Sequence, residues 1–311
     1  MKTGKRTLLA ILLALCLTMA AAAAPAALTP VGRCVGITLR TEGVTVIGFA
    51  EDGSAARDAG IRQGDRILAI DGTPVDSPEG IRALLRPGER VVLRVQRGGH
   101  ESSYAVLVPQ QAELGMLVRD GISGIGTVTF YDPQTGLYGA LGHGVSDRGG
   151  LLPQVAEGRI VPAAVAGVTP GQPGQPGTLR GAYEDRTLGN IERNTDRGIF
   201  GRGVLPEAGE PLPLGTPHLG EASIRANVSG EEVAEYQVRI LDLDPGANTR
   251  NFLVQVTDAR LLEATGGIVQ GMSGSPVLQD GKLVGAVTHV LVNDPTMGYG
   301  IFIENMLDAA G

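Results

Sequence analysis

At 311 residues the chain is long enough for two compact domains, since single hydrophobic cores close at roughly 100–200 residues. It is 42% apolar and 19% charged, with 47 glycines, 19 prolines and 4% aromatics, which describes a globular, β-leaning protein of short strands and many turns. A net charge of −7 disfavours nucleic-acid binding, and two cysteines exclude a cysteine-rich metal site.

Met1-Lys2-Thr3-Gly4-Lys5-Arg6 places three positive charges ahead of an uncharged stretch, 7–24, that ends in small residues. This is the pattern of an export signal, and residues 1–27 are assigned to it. Cleavage near Ala24 to Ala27 and retention as an N-terminal anchor both fit its length, cleavage being preferred. Removal takes away Lys2, Lys5 and Arg6 and no acid, so the rest is more acidic still. It also leaves Cys34 without a partner, to be read as a small buried residue.

Residues 28–108 read as strand, short helix, strand, helix, strand, strand. Within them Gly60-Ile61-Arg62-Gln63-Gly64-Asp65-Arg66-Ile67-Leu68-Ala69-Ile70-Asp71-Gly72 resembles the signature of PDZ domains, and Ser77-Pro78 opens a helix that Pro87-Gly88 ends. In PDZ domains a peptide adds as an extra strand between a glycine-containing strand and this helix. The resemblance assigns that groove to Val35, Gly36, Ile37, Thr38 and Leu39 on one side and to Ile81 and Leu85 on the other. The alternative is a small β-sandwich without a ligand.

A linker at 109–113 precedes a second domain, assigned to 109–311. Its stretch 168–214 is rich in Gly and Pro and reads as loops between short barrel strands, with the Gly-Gln-Pro repeat at 170–177 as a candidate spacer. No metal or phosphate-binding motif occurs, and no cofactor is expected. Gly271-Met272-Ser273-Gly274-Ser275-Pro276 followed by the apolar run 282–288 resembles the serine loop and following strand of trypsin-like proteases. Glycines on both sides of Ser273 allow a sharp turn that exposes the hydroxyl and aims the amides of Gly271 and Ser273 at one point, an oxyanion hole. A serine nucleophile requires a base, and His143, at the end of the apolar strand Tyr138-Gly139-Ala140-Leu141-Gly142, has the order and spacing for it. His100 lies in a hairpin and His218 in a proline-rich loop, while His289 follows the serine loop at a cleft-facing position.

Three stretches belong together: Tyr138-Gly139-Ala140-Leu141-Gly142-His143-Gly144, Asn194-Thr195-Asp196-Arg197-Gly198-Ile199-Phe200-Gly201, and the run 256–276 continued through Thr288-His289-Val290 and Asn293-Asp294-Pro295-Thr296. On these the chain resembles the SpoIVB peptidase family of spore-forming Firmicutes. The resemblance implies a mainly β protein, a PDZ domain followed by a trypsin-like double β-barrel, with a triad at Ser273, His143 and Asp258. It also implies export into the forespore intermembrane space, processing of the protein's own N-terminal segment, and cleavage of a membrane-protein regulator in sporulation signalling. Asp258 lies only 15 residues before Ser273, so pairing with Arg260 is an alternative reading of it, and Asp147 and Asp294 compete for its role. An HtrA-like quality-control protease and a catalytically silent PDZ scaffold are the rival functions.

Overall fold

The structure is a computed structural model that describes residues 25–146, 152, 155–205 and 209–311. The expected export segment therefore lies, up to residue 24, outside the described residues. The protein is mainly β. After β1 (Ala27–Pro30), β2 (Cys34–Phe49) runs for sixteen residues and breaks its regular pairing near Gly43, which sits at φ 76. Then come α1 (Ala55–Asp58), β3 (Arg66–Ile70), β4 (Thr73–Pro74), α2 (Pro78–Leu84), β5 (Arg90–Arg97) and β6 (His100–Leu107). The long β7 (Met116–Tyr131) returns antiparallel along β2.

The first barrel is completed by β8 (Leu137–Ala140), β9 (Val155–Thr169), β11 (Gly189–Thr195) and β12 (Gly198–Gly203), with β10 (Thr178–Tyr183) paired onto β9. The pairing of β2 with β7 closes the ring β2-β7-β8-β12-β11-β9. Its core holds Val35, Leu39, Val128, Tyr138, Ile160 and Ile199. After β13 (Leu212–Pro213), the second barrel is formed by β14 (Gly220–Ser229), β15 (Glu232–Leu243), β16 (Phe252–Val256), β17 (Pro276–Gln279), β18 (Lys282–Leu291) and β19 (Asp294–Phe302). Between β16 and β17 lies α3 (Ala259–Thr265), and α4 (Ile303–Ala310) ends the chain. Cys34 is fully buried, its thiol pushed up to about 12 by desolvation. The Gly-Gln-Pro repeat is a tight turn between β9 and β10, closed by a Gln172–Gln175 bridge.

The PDZ lobe has its own core, from Val44 and Val46 through Ile67, Ile81, Leu93 and Val106 to Leu114. The Gly64-Asp65 pair of its signature has a structural reason. Asp65 is fully buried and grips the Arg97 guanidinium through two 2.6 Å bonds while accepting the Arg62 amide, which satisfies a carboxylate that would be costly to bury alone.

Two expectations require correction. The lobe does not occupy 28–108; its core spans 44–118, and it is inserted at the tip of the β2–β7 hairpin of the first barrel. Val35, Gly36, Ile37, Thr38 and Leu39 therefore do not wall a peptide groove. Each is paired on one side with β7 and on the other with β9, which leaves no free edge. The groove that exists runs between α2, at Ile81 and Arg82 with Leu85 just after it, and the start of β7, at Met116, Leu117 and Val118 with Gly115 just before it.

Candidate active site

The serine loop follows the short connection after α3. Met272 is fully buried in the second-barrel core and pins the loop, with its amide on Val269 O and its carbonyl accepting from the Ser275 amide. The first barrel holds the same loop from the opposite side. Thr127 on β7 donates its amide to Ser273 O at 3.0 Å and its hydroxyl to Gly271 O at 2.8 Å. Gly271 lies at φ 101 and Gly274 at φ 96, conformations that require glycine. Neither the Gly271 nor the Ser273 amide donates to an acceptor among the described residues, which leaves both available to a ligand.

His143 is presented by a strained turn. Leu141 sits at φ 71, and the Gly142 amide donates to Ala140 O across it. The turn is secured by Asn194, whose side chain accepts from the Val145 amide and donates to Val145 O, both at 2.9 Å. In the sequence Asn194 stands within the 194–201 motif with no role of its own; its reciprocal bond with a distant loop is visible only in the fold. His143 Nδ1 lies 2.8 Å from Gly144 O. A carbonyl only accepts, so Nδ1 carries the proton and Nε2 is left as the base.

Ser273, His143 and His289 line one largely apolar cleft of about 470 Å³, together with Ile37, Ile125 and Val269. The His143 and His289 rings are 4.9 Å apart between centroids. Burial lowers the His143 pKa below the ordinary histidine value. Burial, and then the charge of His143, lowers that of His289 to about 4, and its buried Nδ1 has no hydrogen-bond partner among the described residues. The Ser273 hydroxyl donates to Thr288 O at 2.7 Å. The other histidines lie elsewhere, His100 exposed at a hairpin and His218 paired with Asp280.

Asp258 is not brought to His143. It N-caps α3, accepts the Arg260 and Gln237 amides, and pairs with the Arg260 guanidinium at 2.7 Å, which holds its carboxyl at about 2. The competitor Asp294 turns back on Thr296, and Asp147 lies outside the described residues. Among the described residues no cluster of His, Cys, Asp or Glu is arranged to hold a metal ion.

With this geometry established, comparison with known proteins decides the family. The model described as SpoIVB peptidase S55 matches residues 110–307, and one described as PDZ domain matches 47–97. The chain belongs to the SpoIVB peptidase family. It is also similar to a probable periplasmic DegP-like serine endoprotease of Chlamydia trachomatis serovar D, at 37% identity over 39% of this chain and 24% of that protein. A putative zinc metalloprotease of Rhizobium meliloti is 36% identical over 26% of this chain and 23% of its own length. This SpoIVB-family chain thus spans about a quarter of the length of these curated relatives. Among solved structures, the active form of the Rv3671c protease from M. tuberculosis aligns over 61% of this chain and 75% of its own, with 15% identity and a TM-score of 0.37. The PDZ domain of an SdrC-like protein from Listeria monocytogenes aligns over 25% of this chain and 90% of its own, with 21% identity and a TM-score of 0.22.

Proposed function

We propose that this chain is an exported serine endopeptidase in which Ser273 attacks the peptide carbonyl and His143 acts as general base. The observation that carries this reading is the meeting of a glycine-flanked serine loop and a histidine with a free Nε2 in one cleft between two barrels. The Ser273 hydroxyl first leaves Thr288 O by a side-chain rotation. His143 Nε2 takes its proton as the oxygen bonds to the carbonyl carbon, and the amides of Gly271 and Ser273 hold the oxyanion. The same proton then passes to the leaving amine, and water repeats the sequence on the acyl-enzyme. The Gly144 carbonyl fixes the tautomer, the orienting part of what a triad carboxylate does. Labelling by a fluorophosphonate probe tests the reading: modification at Ser273 is expected, and an unlabelled folded protein would refute it.

The groove between α2 and β7 is the peptide-capturing site in this reading. Membership in the family, with relatives described as periplasmic, supports export. The family resemblance extends the substrates to a membrane-protein regulator in sporulation signalling and to the chain's own N-terminal segment, with the forespore intermembrane space as the place of action.

Two consequences follow for the base. Because His143 titrates below its ordinary value and acts when neutral, kcat/KM should hold at neutral pH and fall only as pH drops through a midpoint below about 6.5. A pH-rate profile whose acid limb centres at 7 or above would place an anion beside the ring. Asp258→Asn should keep turnover within about tenfold of the parent, since Asp258 serves a helix cap and Arg260. A loss of about 10⁴-fold in a folded variant, the size expected when a triad carboxylate is replaced, would return Asp258 to the triad.

A further inference from the structure

Strand β7 serves three places in turn. Its residues 116–118 wall the PDZ groove, Ile122, Gly124 and Ile125 line the catalytic cleft, and Thr127 clamps the serine loop. One edge of β7 is covered by β2 from Met116 to Thr127. The other edge is taken by β8 only from Val128 onward, and among the described residues no strand pairs with it over 116–126. Proteins normally shorten, charge or cover an edge of this length, because it invites another strand. Here it carries Leu117, an exposed apolar side chain.

The edge is continuous. Where the β2–β7 register shifts, the extra residues are on β2: it advances from Arg40 to Thr45 while β7 moves from Gly121 to Arg119. The edge also faces the nucleophile. Thr127 directs its amide to Ser273 O and its carbonyl to the Leu141 amide, away from β2. By the two-residue period of a strand, Ile125, Ser123 and Gly121 present their peptide groups to the same side.

Its far end suits a carboxylate. The loop into β7 has Ala112 at φ 58 and Gly115 at φ 66, and the amides of Glu113, Leu114 and Gly115 donate to no acceptor among the described residues. A peptide whose terminal carboxylate sits there and which pairs antiparallel to β7 sends its upstream residues past Asp120 to Ile125, beside Ser273. A parallel peptide would bring its amino end to those amides and leave them unpaired.

We infer that one substrate chain occupies both sites at once: terminal carboxylate in the PDZ loop, the residues preceding it added as a strand on β7, scissile bond at Ser273. This rests on the serine-endopeptidase reading above. Because the lobe is built into the β2–β7 hairpin, the separation is set by the strand. The 116–125 span is ten residues, or about 33 Å at roughly 3.3 Å each, so the enzyme releases carboxyl-terminal peptides of about ten to twelve residues.

The test uses synthetic peptides about three times that length, with randomised interiors and an apolar Leu-Val end to suit Ile81, Leu85 and Met116, made as free acid and as amide. First-cut products are sized by mass spectrometry. The acid pool should yield carboxyl-side products clustered at about ten to twelve residues, and the amide pool should be cut at least several-fold more slowly with no preferred length. Identical length distributions from both pools, with Ser273 labelled by the fluorophosphonate probe, would overturn the two-site inference alone. No labelling and no cleavage of either pool would overturn the peptidase reading beneath it.

Discussion

Ser273→Ala is expected to lower turnover of a small ester by about 10⁵–10⁶-fold, the loss seen when a serine enzyme is deprived of its nucleophile, and to leave the protein folded. The asymmetry follows from what the hydroxyl touches. Among the described residues the hydroxyl bonds only Thr288 O, a bond worth about 0.5–1.5 kcal/mol, and the loop around it is held by other groups: Met272 in the core, Thr127 from the first barrel, and the Gly274 amide on Val287 O. Ester hydrolysis, unlike proteolysis, needs neither the groove nor an extended substrate, so it reports on the nucleophile directly. Melting curves and hydrolysis of the purified variant measure both quantities. Retention of more than about a tenth of turnover would remove Ser273 from the chemistry, because a decade is only about 1.4 kcal/mol of barrier.

Much of the candidate site is legible in the sequence because its residues are constrained locally. Gly271-Met272-Ser273-Gly274 announces a turn that only glycines can make, and Leu141-Gly142-His143 ends an apolar strand in another. The PDZ lobe declared itself through Gly64-Asp65, whose carboxylate organises a loop a few residues away and one arginine. Its limits and groove did not, since β2 is apolar through both halves and only Gly43 marks where it passes from barrel to lobe. An inserted domain breaks the assumption that neighbours in sequence share a core. The segment that forms the groove, Leu114-Gly115-Met116, has the apolar-glycine-apolar form expected of a PDZ groove strand, yet it lies beyond the expected boundary. Asp258 carries a local signal of its own. It directly precedes Ala259-Arg260-Leu261-Leu262, the position of an N-cap, and that local role accounts for its carboxylate without any histidine.

Gly274→Ala is expected to lower activity on the order of 10²-fold, well short of the loss of the nucleophile, and to be far more damaging to stability than Ser273→Ala. A Cβ at this position would stand 2.0 Å from Thr127 O and 2.5 Å from the Leu141 amide, both main-chain atoms that cannot swing aside. The backbone is at φ 96, where a side chain adds about 1–3 kcal/mol of strain, and overpacking adds about 1–3 kcal/mol more. Relief requires the serine loop to retreat from β7, which stretches the Thr127–Ser273 bond and disturbs the Leu141 turn that presents His143. A displacement of about 1 Å between nucleophile and base costs on the order of 10²-fold in rate. Gly281→Ala separates the causes: it also carries a positive φ, 72, but nothing lies within 4 Å of its added Cβ. That variant should lose about 1–3 kcal/mol from strain alone and keep its turnover. If Gly274→Ala and Gly281→Ala prove equal in melting temperature and in ester hydrolysis, the close approach of the two barrels at Gly274 does not position the serine.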